Sequence, residues 1–181
     1  NYKDINYFPL FDKKKKIKEI INLVSSKKDF IETPFVIIAG GIGKRLMPLT
    51  ALEPKPLIKI DGKPIIEHII DKAINEGFKN FIISTGYLKN KIKNFLGDGR
   101  EKDIKIKYIS ENKPLGTGGF LYFLKKNKYE RFFISNGDVL TRFKYRDLLN
   151  FHIKSKSQAT ISAINKSLRF PFGEIKFKKN N

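Results

Sequence analysis

The sequence predicts an α/β protein whose sheet is parallel at its centre. Three apolar runs, Phe35-Val36-Ile37-Ile38, Phe81-Ile82-Ile83-Ser84 and Phe132-Phe133-Ile134-Ser135, lack an alternating polar face, as strands buried on both sides require. Between the first two, Ile65, Ile66, Ile69, Ile70, Ala73 and Ile74 recur at helical spacing. Strand, helix, strand makes a right-handed βαβ unit. Ligands collect at the carboxyl ends of such strands, and the first strand runs straight into the glycine-rich stretch Ala39 to Leu57.

Residues 1–33 differ in character from the rest. Tyr7 to Leu10 with Phe11, and then Ile17 to Val24, are apolar stretches separated by the charged turn Asp12 to Lys16. A hairpin is one expectation; an N-terminal arm or helix from Lys16 to Leu23 is the other. The polar Ser25 to Lys28 and the extended entry forced by Thr33-Pro34 read as a linker. The main domain is expected over 34–181.

In the loop after the first strand, Gly40, Gly41 and Gly43 allow positive φ and close backbone approach, while Lys44, Arg45 and Lys55 bring cations to the same place. That combination holds a phosphate chain; a glycine turn with a solvated basic loop is the plainer alternative. Neither the P-loop nor G-x-G-x-x-G fits, since Arg45 and Leu46 stand where the last glycine would be. Further on, Leu57 to Ile60 predicts a short strand, Asp61-Gly62 a turn, Pro64 the first helical position and Gly77 the helix stop. Leu88, Ile92, Phe95 and Leu96 mark a second helix closed by Gly97, and Ile104 to Ile109 alternates with lysine as a half-exposed strand does. A second glycine cluster, Pro114 to Gly119, opens a helix through Phe120 to Leu124 and suggests another close approach to ligand. The third buried strand ends in Asn136-Gly137-Asp138, which sets a carboxylate opposite the phosphate loop; Mg²⁺ suits one or two carboxylates plus phosphate oxygens, and a simple turn cap is the alternative. Tyr145 to Lys154 reads as a helix and Ala159 to Ile164 as a strand. His68 lies beside the apolar stripe of the first helix without a paired acid or nucleophile, so packing or surface exposure is expected of it.

Composition bounds the function classes. The chain has 181 residues, 40% hydrophobic and 13% aromatic, which suits one globular core. No apolar run approaches the ~20 residues of a membrane span. The absence of cysteine excludes disulfides and thiolate metal sites, and with no signal-peptide pattern and no initiating methionine the expectation is a cytoplasmic piece of a longer protein. A formal charge of +19 would attract any polyanion, but the lysines are scattered and no nucleic-acid-binding motif stands out. Nucleotides and phosphorylated small molecules are preferred as partners over specific nucleic acid, no membrane is expected, and a homo-oligomer is compatible with the sequence.

The run Gly40-Gly41-Ile42-Gly43-Lys44-Arg45-Leu46-Met47-Pro48-Leu49-Thr50, followed by Pro54-Lys55-Pro56-Leu57, resembles the signature of the sugar-nucleotide pyrophosphorylases. Pro114-Leu115-Gly116-Thr117-Gly118-Gly119 resembles that family's nucleoside-pocket segment, and Phe172-Gly173-Glu174-Ile175 its sugar-side strand. The resemblance implies a Rossmann-like three-layer α/β/α sandwich with a mostly parallel, mixed sheet. It implies nucleotidyl transfer from an NTP to a sugar 1-phosphate, with Mg²⁺, for surface polysaccharide or glycan precursors. Arg45 would hold the β- and γ-phosphates, Lys55 the two phosphates that meet, and Asp138 the metal. Ala39, Gly40, Gly41, Gly43, Lys44, Ser84, Gly86, Gly116 and Thr117 would bind nucleotide, and Asn136 and Gly173 would border the sugar. Similarity of Ser84 to Gly99 and of Pro114 to Gly119 to bacterial guanylyltransferases favours GTP. The family's Glu-Lys pair and second aspartate are expected beyond Asn181, so this chain is expected to bind NTP and to turn it over poorly or not at all. The first 33 residues resemble the closing strand-turn-strand of a CBS module at Phe8 to Asp12 and Lys16 to Ile21, with Glu19 in place of a glycine. Two other readings stay open: a nucleotide-sensing module without turnover, and a nucleic-acid-binding protein.

Overall fold

In a computed structural model the described residues are 7–11, 16–22, 30–43, 46–111, 116, 118–126, 129–167 and 173. A four-stranded sheet, all parallel, runs β7-β6-β3-β8, where β3 is Phe35–Ala39, β6 Asn80–Thr85, β7 Lys105–Ser110 and β8 Phe133–Asn136. Two antiparallel pairs stand apart from it: β1 (Tyr7–Phe11) with β2 (Ile17–Asn22), and β4 (Lys59–Ile60) with β5 (Lys63–Pro64). The N-terminal apolar stretches therefore form the hairpin, not a helix. In the second pair Asp61 and Gly62 turn the chain at φ +51° and +78°, the mirror-image turn that Asp-Gly favours.

The period-two geometry of β3 splits the core into two. Phe35, Ile37 and Ala39 face a cluster with Ile66, Ile69 and Ile70 of α1 (Ile65–Asn75), Ile92 of α2 (Lys89–Leu96) and Tyr145 and Leu149 of α4 (Tyr145–Ser155). Val36 faces the other way, with Ile82, Phe120 and Leu124, the last on α3 (Leu121–Lys126). Helices thus cover both faces, and the expected three-layer α/β/α sandwich is present. At the centre, the Phe35 ring lies 4.9–5.7 Å from the rings of Phe78, Phe81, Phe133 and Tyr145. One side chain on the middle strand joins both neighbouring strands and a helix.

Three details correct the sequence expectations. Helix α1 starts at Ile65, because Pro64 is still extended (ψ 141°) and closes the small hairpin. Strand β8 is only half buried: Ile134, level with Val36, lies outside the second cluster and is 43% exposed. Among the described residues β8 is an outer strand of the sheet, and the second cluster packs on β3 and β6 without reaching Ile134. Residues 159–164 form no strand; Ile161 and Ile164 are each 87% exposed, and alternation alone cannot make a strand without a partner ladder. The antiparallel members of a mixed sheet do not occur in the four-stranded sheet of the described residues.

Candidate active site

The carboxyl ends of β3, β7 and β8 open onto a cleft of about 540 Å³. Ala39, Gly40, Gly41 and Gly43 form one wall, Glu111 and Gly116 another, and Lys55, Asn136, Gly137 and Asp138 the floor. Of the residues read from the sequence, Ala39, Gly40, Gly41, Gly43, Lys55, Gly116, Asn136 and Asp138 thus come together from stretches almost 100 positions apart.

Two glycines in the wall are dictated by geometry. Gly43 has φ +69°, and a Cβ there would lie 2.9 Å from Thr50 Cγ2. Gly40 packs so tightly on β6 that a Cβ would meet the Gly86 nitrogen at 3.3 Å. On the floor, Gly137 N–H donates to the Ile38 carbonyl at 2.8 Å, which extends the β3–β8 ladder by one residue and sets Asp138 at the cleft. The Lys55 ammonium donates to the Asp138 carboxylate, and both side chains stay partly exposed to the cleft. Lys55 reaches that position because Pro54 and Pro56 fix the chain around a 3₁₀ turn, Lys55–Leu57, whose Pro56 and Leu57 are buried.

Ser84 and Gly86 do not line the cleft. Ser84 is fully buried and its hydroxyl donates to Glu111 Oε1 at 2.5 Å, while Gly86 backs onto the Gly40 carbonyl, 2.8 Å from where a Cβ would sit. They support the wall from behind. Gly173 is exposed, a Cβ there would meet nothing within 4 Å, and it is not among the residues that line the cleft. Lys44, Arg45 and Thr117 lie outside the described residues. His68, half-buried, has Nε2 3.0 Å from the Ile60 carbonyl and does not line the cleft.

Sequence reasoning missed Glu111. Its signal was available, since it directly follows a parallel strand, and the ligand-facing end of such a strand is where a polar side chain has chemistry to do. For Mg²⁺ the fit is of one kind. No group of three or more His, Asp or Glu capable of holding a metal occurs among the described residues. Asp138, paired with Lys55 and sharing the cleft with Glu111, which accepts from Ser84, fits an ion that brings phosphate oxygens as its remaining ligands.

The family profile described as nucleotidyl transferase matches residues 35–181. The chain belongs to the nucleotidyl transferase family. Among relatives of this nucleotidyl transferase chain, the mannose-1-phosphate guanylyltransferase of Mycobacterium tuberculosis is 32% identical over 130 residues, covering 71% of this chain and 36% of the relative. The D-glycero-alpha-D-manno-heptose 1-phosphate guanylyltransferase of Aneurinibacillus thermoaerophilus is 36% identical over 128 residues, 70% of this chain and 55% of that protein. A crystal structure of HddC from Yersinia pseudotuberculosis complexed with GMP-PN superposes with a TM-score of 0.60 at 30% identity, over 67% of this chain and 54% of that one. The chain thus spans about a third to just over half the length of these relatives. The resemblance to sugar-nucleotide pyrophosphorylases holds at the level of family, and so does the fold.

Proposed function

We propose that this nucleotidyl transferase domain belongs to an enzyme that joins a nucleoside triphosphate, GTP before the others, to a sugar 1-phosphate, releasing pyrophosphate. The observation that carries the reading is the shared cleft: a glycine loop whose backbone can approach phosphates stands beside Lys55 and Asp138 at the strand ends. An oxygen of the sugar 1-phosphate attacks the α-phosphorus, the bond to the β-phosphate oxygen breaks, and pyrophosphate carries away the electron pair. Such a reaction asks the protein for alignment and charge neutralisation more than for covalent chemistry.

Gly40, Gly41 and Gly43 would offer backbone N–H groups to the triphosphate, with Ala39, Lys44, Gly116 and Thr117 completing the nucleotide site and Ser84 and Gly86 backing it. Arg45 would hold the departing β- and γ-phosphates. Lys55, now paired with Asp138, would turn its ammonium to the two phosphates that are pressed together. Asp138, released, would hold Mg²⁺, which when bound supplies neutralising charge at the phosphate oxygens. Asn136, beside Asp138 on the floor, would border the sugar, with Gly173 the second sugar contact by resemblance. Both guanylyltransferase relatives and the GMP-PN complex support GTP; a role in making glycan precursors is part of the same proposal.

The test is calorimetric titration with GTP, UTP, CTP and dTTP in Mg²⁺, followed by pyrophosphate release with each NTP and a panel of sugar 1-phosphates. GTP binding is expected; pyrophosphate release should require both substrates and, from this chain alone, be slow or absent. Failure to bind any of the four nucleotides would overturn the reading.

A further inference from the structure

The phosphate-facing loop between Gly40 and Lys55 is held by little apolar burial. Met47, Leu49 and Leu52 point outward, at 53, 69 and 79% exposure. Its shape must come from polar ties. Within the loop, Thr50, fully buried, donates its hydroxyl to the Gly43 carbonyl at 3.0 Å, and Leu46 N–H donates to the same carbonyl at 2.9 Å. Across to the segment that follows β6, Tyr87 makes two long-range ties. Tyr87 N–H donates to the Gly40 carbonyl at 3.3 Å, and Tyr87 O–H donates to the Ala51 carbonyl at 2.7 Å.

We propose that Tyr87 is a positioning residue for nucleotide: it brackets the loop at both ends and so holds Gly40 to Gly43, and Lys55 beyond Ala51, in the spacing that receives a triphosphate. Tyr87 itself does not line the cleft. Its ring spans from the end of β6 to the far side of the loop, and the positive φ of the next residue, Leu88 (+50°), starts α2 directly behind it. The tyrosine therefore sits in the short turn between β6 and α2, two packed elements, while its hydroxyl reaches the outward-facing part of the loop. Lys91 of α2 adds a parallel tie to the Leu52 carbonyl and an ion pair to Glu53, both at the surface. The significance of the bracket rests on the proposed nucleotide site, but the bracket itself is a property of the loop.

The experiment uses Tyr87→Phe, which removes only the hydroxyl, in the whole chain. Hydrogen exchange is followed over 46–53 and over β3 and β6, together with the melting temperature and GTP affinity in Mg²⁺. Exchange over 46–53 should rise about fivefold or more, with β3 and β6 unchanged, and the GTP dissociation constant should rise by about fivefold, the worth of one net hydrogen bond. Lys91→Met, which removes the surface tie, should change both by less. A lowered melting temperature with unaltered GTP affinity in the folded protein would mean a merely structural residue and overturn the proposal. So would unchanged exchange over 46–53. If the wild type bound no nucleotide, the functional reading would fail while the exchange data still decided whether Tyr87 holds the loop.

Discussion

Lys55 and Asp138 illustrate how much a single residue's meaning depends on its neighbour. Each was assigned a separate partner from the sequence, a phosphate for one and a metal for the other, and the structure sets them against each other. An ammonium that acts where two anions converge contributes more to the transition state than to the ground state. In a full-length version, Lys55→Ala is therefore expected to lower turnover by about 10²–10³-fold, as loss of a transition-state donor does, while NTP affinity changes by less than about tenfold. Steady-state kinetics beside calorimetry separates the two; a raised KM with unchanged kcat would remove Lys55 from this role. Gly43 makes a second residue-scale prediction. Alanine there would combine left-handed backbone with a 2.9 Å approach to Thr50, at a cost of about 1–3 kcal/mol. A thermal melt should show it, at about 2–4 °C per kcal/mol for a chain of this size.

At the scale of elements, the most connected charges join α1 to the turn before β7. Lys102 donates to Glu67 at 2.8 Å and to Asp71 at 2.7 Å, and Lys63 donates to Asp71 from the small hairpin. Burial pushes the Asp71 carboxyl up, but hydrogen bonds from Lys102 and Lys63 outweigh it and hold the group below its ordinary value. The unfolded chain then takes up the proton first. The stability Asp71 contributes is complete above its unfolded value of about 3.9 and is lost as pH falls through the lower folded value. Lys102 runs the opposite way: burial lowers it, hydrogen bonds to Asp71 and Glu67 raise it further, and its contribution fades only as pH rises past the ordinary lysine range. Asp71→Asn should lower the melting temperature at pH 7, and its deficit from wild type should shrink as both are melted at progressively lower pH below about 4. A deficit independent of pH would mean that packing, not the ionised carboxylate, is what the variant loses.

For the whole molecule the dominant fact is charge. At +19 over 181 residues the protein should attract polyanions, and counterion release alone is expected to give weak binding to duplex DNA. That binding is expected to show no sequence preference and to fall steeply between about 50 and 200 mM salt, whereas GTP binding in a preformed cleft should fall far less. Gel shift and calorimetry over the same salt series make the comparison. A sequence-specific complex that survives at physiological salt would favour the nucleic-acid reading over the nucleotide one.

Much of the architecture was legible because burial is written in local pattern. The uninterrupted runs at Phe35 and Phe81, the helical spacing of Ile65 to Ala73, and Gly77 and Gly97 as stops each report a local preference that the packing then agrees with. The glycine loop was legible for the same reason, since positive φ at Gly43 and close approach at Gly40 are local demands on the chain. What only the tertiary structure decided are relations between distant stretches. It paired Lys55 with Asp138, withdrew Ser84 behind Glu111, left 159–164 without a strand partner, and brought Tyr87 to the Ala51 carbonyl. Those outcomes depend on which strand ends meet at one rim, and a one-dimensional pattern carries no term for the distance between residues that the fold brings together.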